Sequence, residues 1–322
     1  MRLFIQIPCF NEAESLPATL ADLPRQVDGV DDVKWVVIDD GSTDSTADVA
    51  RENGVDYIVS HTQNMGLAHG FMTGLETCLE HGADIIINTD ADNQYSASSI
   101  PDLLKPILEN RADLVIGARP IEQIKDFSPL KKLFQKLGSW VVRVASNTDI
   151  PDAPSGFRAL SRDLAYQVNV FSDYTYTLET IIQAGQKKFS IAWVPVKTND
   201  WMRPSRLLTS TWSYIKRSIF TIVRIVAVYR PFMFFMSLAS VFLVIGLLLG
   251  LRFLAFYLTG NGDGHIQSLI LASILIGVSF QIGILAFMGD LMSVNRRLLE
   301  EIQHRTRSNY VNSKSSRRTR ES

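Results

Sequence analysis

Only two cysteines, Cys9 and Cys78, occur in 322 residues, and nothing near either has metal-site spacing. That excludes a disulfide framework and a zinc-finger class, and in a reducing cytosolic domain both read as core residues. A Walker sequence and a dinucleotide fingerprint are also missing. The one glycine-rich candidate, "NMGLAHG" at 64–70, has the spacing of neither, which argues against NTPase and oxidoreductase classes. No N-terminal signal peptide is visible: "MRLFIQIPCF" has few apolar residues before Pro8 and reads as a first strand. The formal net charge of -1 excludes little, because a basic C-terminal half offsets an acidic remainder.

Charge itself is missing from two long stretches, residues 231–251 and 266–289. At about 1.5 Å rise per residue, each run can cross a hydrocarbon core roughly 30 Å thick. They read as two transmembrane helices, at about 231–258 and 266–289 within a membrane segment 231–290. A buried hairpin in a large soluble protein is the alternative, disfavoured by two charge-free runs so close together. The linker "TGNGDGH" is too short for a domain and reads as a tight turn on one side of the bilayer. Acids are absent from 203–230, where Arg203, Arg206, Lys216, Arg217, Arg224 and Arg230 lie, and Arg296, Arg297, Arg305, Arg307, Lys314, Arg317, Arg318 and Arg320 follow the second run. The positive-inside rule then predicts a multi-pass protein of the cell (inner) membrane, with the N-terminal domain and both termini cytoplasmic.

Between 203 and 230 apolar and basic residues alternate in helical spacing, which predicts one or two amphipathic helices lying on the membrane surface. Residues 291–322 read as a basic cytoplasmic tail whose end, "RTRSNYVNSKSSRRTRES", is disordered and held near anionic lipid, without the aromatic interleaving of a nucleic-acid binder. Arg252 and Asp290 sit near span ends, where snorkelling is cheap, and two spans without an internal polar pathway argue against a transporter.

Residues 1–202 alternate strand and helix signals. "LFIQIP", "KWVVIDD", "DYIVSH" and "ADIIINTD" read as strands, separated by helices opening at "NEAESL" and "GSTDST" and a third helix running to about Gly82 after a turn at "NMGLAHG". Strands separated by helices predict an α/β domain with a mainly parallel sheet covered on both faces. In such sheets ligands bind beyond the carboxyl ends of the strands. The unusual residues fall there: Pro8 to Glu12 after the first strand, Asp39 and Asp40 after the second, and Asp90 to Gln94 after a later one. "DDGSTD" alone could be a capped turn, and an isolated Asp-x-Asp is a weak signal. Two carboxylates as close as Asp90 and Asp92 nevertheless repel unless a cation or a positively charged partner sits between them.

Seven ordered motifs, "IPCFNEAESL", "VVIDDGSTDST", "NMGLAHG", "DADNQY", "VIGAR", "DAPSGFRALSR" and "RPSRL", resemble a family 2 glycosyltransferase of the GT-A fold, with a Rossmann-like, mostly parallel sheet. Within it the chain is similar to the polyprenyl-phosphate glycosyltransferases that include dolichol-phosphate mannose synthase and the GtrB-type bacterial enzymes. The motifs cover about residues 3–210, and the C-terminal hairpin is similar to the GtrB-type architecture.

The resemblance implies a membrane-anchored, inverting, metal-dependent enzyme moving one sugar from a UDP- or GDP-sugar to a polyprenyl phosphate, undecaprenyl or dolichyl, on the cytoplasmic leaflet. It implies Mg²⁺ or Mn²⁺ held by Asp92 and Gln94, with Asp90 a ligand or a ribose contact, because a divalent metal neutralises the departing diphosphate. Asp39 and Asp40 would hydrogen-bond base and ribose, with Pro8, Phe10, Asn11 and Glu12 beside them. Arg119, Arg203 and Arg206 are suited to phosphates in forked geometry, with a membrane-surface anchor as the alternative, compatible role of the last two. The lipid phosphate is already ionised near neutral pH, so the reaction needs little or no base. Asp152 is the candidate if one acts, and a structural turn its other reading.

The pattern departs at Gln135, where the dolichol-type enzymes place an Arg four residues before the Ser matching Ser139; Lys132 and Lys136 flank it. The acceptor phosphate is therefore assigned to Arg119, Lys136 and Ser139. The "QxxRW" of processive polysaccharide synthases is absent, which predicts one sugar per lipid. A homo-oligomer, a tetramer in GtrB-type enzymes, is also implied. A scaffold or lipid-binding protein with a degenerate transferase domain is the alternative, and the intact acids weigh against it.

Overall fold

The computed structural model describes residues 1–120, 143, 148–170, 176–199, 220, 223–224, 226–260 and 265–321. Lys136, Ser139, Arg203 and Arg206 lie outside these residues, as does most of the expected interfacial segment 203–230. The chain divides into two compact units, Met1–Ser218 with Glu300–Ser322, and Ile219–Leu299.

The first unit is a seven-stranded sheet in the order β3-β2-β1-β4-β6-β5-β7. Its strands are β1 (Arg2–Cys9), β2 (Asp32–Asp39), β3 (Tyr57–Ser60), β4 (Ile85–Asn88), β5 (Leu114–Ala118), β6 (Arg158–Ser161) and β7 (Ile191–Pro195). Central strands are apolar on both faces because helices cover both; in β1 only the first residue is exposed, and β4 is buried throughout. Helices α1 (Leu16–Asp22) and α4 (Ile100–Leu108) contribute to the core around Leu3, Ile5, Ile87 and Val115. Helix α3 (Leu67–Glu80) buries Phe71 and Leu75 and packs on β1 and β2. The other α-helices among the described residues of this unit include α2 (Thr46–Glu52), α5 (Arg162–Gln167) and α6 (Thr177–Gln186).

Two topological features create the site. The chain moves outward from β1 through β2 to β3, then returns to the other side of β1 as β4, so β1 and β4 flank a switch point. Strand β6 runs antiparallel to β4 and β5, and Arg158 at its start pairs with Asn88 at the end of β4 and with Ile116 of β5. Residues 150–157 therefore enter at the edge where β4 and β5 end. Pro8 is tolerated in central β1 because β4 pairs only as far as Gln6, so no ladder partner faces its missing N–H there.

Two helix starts differ from the sequence expectation. Helix α1 begins at Leu16 rather than near Asn11, because Asn11 and Glu12 bond instead to the loop after β2 and the first residue of α2. Helix α3 begins at Leu67, so most of the expected "NMGLAHG" turn is helix, with Gly66 as its cap.

The second unit contains α7 (Pro231–Leu258) and most of α8 (Ile266–Glu321), both long and apolar enough to cross a membrane. They pack through small residues. Ser279 Oγ donates to the Ala239 carbonyl at 2.9 Å, and Gly246 lies against Ala272 and Ile276. Large side chains point outward, with Leu248 62% and Phe280 76% exposed, the reverse of a soluble core hairpin. Helix α8 continues to Glu321, where sequence reading expects a span ending near 289 and a disordered tail; no glycine or proline interrupts residues 290–321.

Candidate functional site

Four loops meet at the carboxyl edge of the sheet. The first two are stapled together. Asn11, at φ 54°, donates its N–H to Ser42 Oγ at 2.9 Å and accepts from the Thr43 N–H at 2.8 Å; Glu12 N–H donates to Thr46 Oγ1 at 2.9 Å. Pro8 is buried and Phe10 stands exposed at the rim.

The adjacent acids Asp39 and Asp40 have different environments. Asp39 Oδ1 accepts from the Ser42 N–H at 3.0 Å. Asp40 uses both oxygens on the 61–66 turn: Oδ1 takes the Met65 N–H at 2.9 Å and meets His61 Nδ1 at 2.7 Å, while Oδ2 takes the Gly66 N–H at 2.8 Å. The turn presses on Gly41, at φ 70°, where a Cβ would come within 2.7 Å of Asn64 N. Sequence reading gives Asp40 a nucleotide contact; the fold gives it a loop to hold.

The Asp-x-Asp turn follows β4 and is anchored from both sides. Thr19 Oγ1 of α1 donates to the Ala91 carbonyl at 2.9 Å, and the Asn199 N–H donates to the Gln94 carbonyl at 2.9 Å. The Gln94 N–H closes the turn onto Asp92 Oδ1 at 3.1 Å. Asp90 accepts no hydrogen bond from the described residues. Its burial, then the Asp92 charge, push its pKa up to about 7 against the pull of Arg119 and Arg158. Such a carboxylate is short of positive charge. Among the described residues no three acidic, histidine or cysteine side chains gather, so a cation here would take Asp90, Asp92 and a neutral oxygen such as the Gln94 amide. That all-oxygen set fits a hard divalent ion.

The fourth loop brings Asp152 to Arg119. Arg119 Nε donates to Asp152 Oδ2 at 2.8 Å and Nη2 to Oδ1 at 3.1 Å, and the Arg119 N–H adds a bond to Oδ2 at 3.2 Å. Asp152 is fully buried. The fork expected to meet a phosphate therefore meets a carboxylate, and the candidate base has both oxygens engaged.

Sequence reading missed a buried polar chain beneath Asp90. Gln6 and Asn88, paired in register on β1 and β4, bond at 2.9 Å; Asn88 Nδ2 donates to the Gly156 carbonyl at 2.9 Å and the Tyr176 hydroxyl at 2.7 Å. The Gly156 N–H donates to the Tyr95 hydroxyl at 3.2 Å. Arg158, wholly buried, donates to the Thr177 carbonyl at 3.0 Å, Thr180 Oγ1 at 2.6 Å and the Ser155 carbonyl. The signal was a lone polar residue in each of two apolar strands, "LFIQIP" and "IIIN". Tyr95, Tyr176 and Arg158 left no such trace.

The arrangement can bind an anion-bearing ligand through a cation at the Asp90–Asp92 turn, walled by the Asp39 and Phe10 loops. The family described as Glycosyl transferase family 2 matches residues 4–168. The undecaprenyl-phosphate mannosyltransferase of Micrococcus luteus is 32% identical over 169 residues, 51% of this chain and 68% of that protein. The UDP-N-acetylglucosamine–dolichyl-phosphate N-acetylglucosaminyltransferase of Methanococcus voltae is 29% identical over 219 residues, 61% of this chain and 85% of its own length. Among solved structures, glucosyl-3-phosphoglycerate synthase from Mycobacterium tuberculosis, crystallised with Mn²⁺, UDP and glucosyl-3-phosphoglycerate, shares the fold with a TM-score of 0.51 at 18% identity, covering 70% of this chain and 78% of that one. With about half its length matched and the strand-end acids in place, the chain belongs to glycosyl transferase family 2.

Proposed function

We propose that this chain transfers a single sugar from a UDP- or GDP-sugar to a polyprenyl phosphate at the cytoplasmic face of a membrane, by one inverting displacement. The observation that carries the reading is the Asp90 carboxylate, half-buried beside Asp92 with no hydrogen bond among the described residues, in a chain whose hairpin turns its apolar side chains outward. The relatives named above act on undecaprenyl and dolichyl phosphates, which supports a lipid acceptor.

Asp90, Asp92 and the Gln94 amide would hold Mg²⁺ or Mn²⁺, which when bound neutralises charge on the departing diphosphate. Asp39 keeps Oδ2 available for a base or ribose donor while Oδ1 fixes the Ser42 turn. Phe10 offers a flat apolar surface at the rim. Arg119 and Asp152 form a bracket that shapes the floor of the site, and Arg119 retains Nη1 for an oxygen above it. A lipid phosphate attacks as an anion, so the engagement of Asp152 with Arg119 leaves the chemistry intact. Arg203, Arg206, Lys136 and Ser139 remain assigned to phosphate binding by family resemblance. A tetramer and cytoplasmic termini are part of the same proposal.

The test is nucleoside diphosphate release by detergent-purified protein given undecaprenyl phosphate and Mn²⁺, across a panel of UDP- and GDP-sugars, with and without chelator. Release requiring both lipid and metal is expected. Folded protein that binds nucleotide but releases none across donors and polyprenyl acceptors would overturn the transferase reading.

A further inference from the structure

We propose that Gly156 and Arg158 are positioning residues for Asp90: the bare Cα of Gly156 is the stop against which the Asp90 carboxylate rests, and Arg158 holds that stop through the neighbouring Ser155 carbonyl. The inference rests on the reading of Asp90 as a metal ligand, and deepens it by naming what orients that ligand.

The contact is unusually close. A Cβ built on Gly156 would lie 2.8 Å from both carboxylate oxygens of Asp90, nearer than real Cβ atoms approach, and 3.1 Å from its Cγ. Glycine is required here for space, since no left-handed φ occurs at this position. The backbone cannot retreat. The Gly156 N–H is held by the Tyr95 hydroxyl at 3.2 Å and its carbonyl by Asn88 Nδ2 at 2.9 Å, while Asn88 is itself fixed by Gln6 and Tyr176. Any added atom must therefore displace the carboxylate, the one partner in the contact that no other described residue bonds.

Arg158 sets the position of this backbone. Its Nη2 donates to the Ser155 carbonyl, and Nη1 reaches across to the start of α6 at the Thr177 carbonyl and Thr180 Oγ1. The guanidinium is wholly buried, and among the described residues its Nε has no partner and it touches no carboxylate, although the Asp90 and Asp152 charges act on it. Burying such a charge costs several kcal/mol unless negative groups nearby offset it. Apolar packing would serve the core better, so a charge at this position is explained by the loop it holds and the acids above that loop.

The test uses the full-length protein in detergent, with Mn²⁺ binding read by electron paramagnetic resonance in the presence of UDP or GDP, and thermal unfolding read without metal. Gly156→Ala is expected to weaken Mn²⁺ binding roughly 10- to 100-fold, the usual range for a group that orients a ligand. It is also expected to lower the metal-free unfolding temperature in the native background but not in Asp90→Ala, where the clash is gone. Arg158→Lys, keeping charge but losing the fork, should weaken Mn²⁺ binding less than Arg158→Met. Unchanged Mn²⁺ affinity in folded Gly156→Ala, or an equal drop in unfolding temperature in both backgrounds, would overturn the proposal. Unchanged Mn²⁺ affinity in Asp90→Ala would instead overturn the metal assignment.

Discussion

Arg119 and Asp152 face one another in a two-point ion pair, Nε to Oδ2 at 2.8 Å and Nη2 to Oδ1 at 3.1 Å, with the Arg119 N–H on the same carboxylate. They are 33 residues apart in sequence, on the end of β5 and the loop entering β6. Breaking one side of a buried pair leaves an uncompensated charge and costs about 3–5 kcal/mol. Arg119→Ala and Asp152→Ala should each lose that much, and the double variant clearly less than their sum. Denaturation of the three variants checks it; strict additivity would mean the pair is not coupled.

The two neighbouring acids after β2 should separate by phenotype. Asp40→Ala strips acceptors from the Met65 and Gly66 N–H groups and should destabilise the protein by roughly 2–4 kcal/mol. Asp39→Ala should cost less stability and weaken nucleotide binding more. Calorimetric titration with UDP and GDP, beside thermal unfolding, resolves them.

Metal binding should depend on pH through Asp90. Its pKa, up to about 7 from burial and then Asp92, means that a cation must displace a proton below that pH. Mn²⁺ affinity should fall about tenfold per pH unit below 7 and level off above it. Folding without metal has the opposite sign. The folded state holds the proton that the unfolded chain releases near pH 4 or so, so metal-free stability should decline from about pH 4 to about pH 7 and then flatten. Metal titrations and unfolding across this range check both arms, and an affinity independent of pH would contradict the first.

In the hairpin, Gly246→Val should be poorly tolerated. A Cβ at Gly246 would lie 2.9 Å from Ile276 Cγ1 and 3.2 Å from the Ala272 carbonyl. Overpacking of this kind costs about 1–3 kcal/mol, whereas Gly283→Val, with no described residue within 4 Å, should be mild apart from helix propensity. Thermal unfolding of both variants in detergent makes the comparison.

Local pattern alone was sufficient for the parallel sheet, the two apolar helices and the acids at strand ends. Each of those signals is carried by residues adjacent or at fixed short spacing: "IIIN" before Asp90 and Asp92, charge-free runs at 231–251 and 266–289. Tertiary structure decided the partners. That Asp152 takes the Arg119 fork and that Gly156 abuts Asp90 depend on antiparallel β6 delivering residues 152–157 to the ends of β4 and β5; that Asp40 closes the 61–66 turn while Asp39 does not depends on the parallel pairing of β2 with β3. A sequence names which side chains carry charge. Which charge is already neutralised by a distant residue, and which is left for a ligand, is set by strand order and by contacts across tens of residues that no short spacing records.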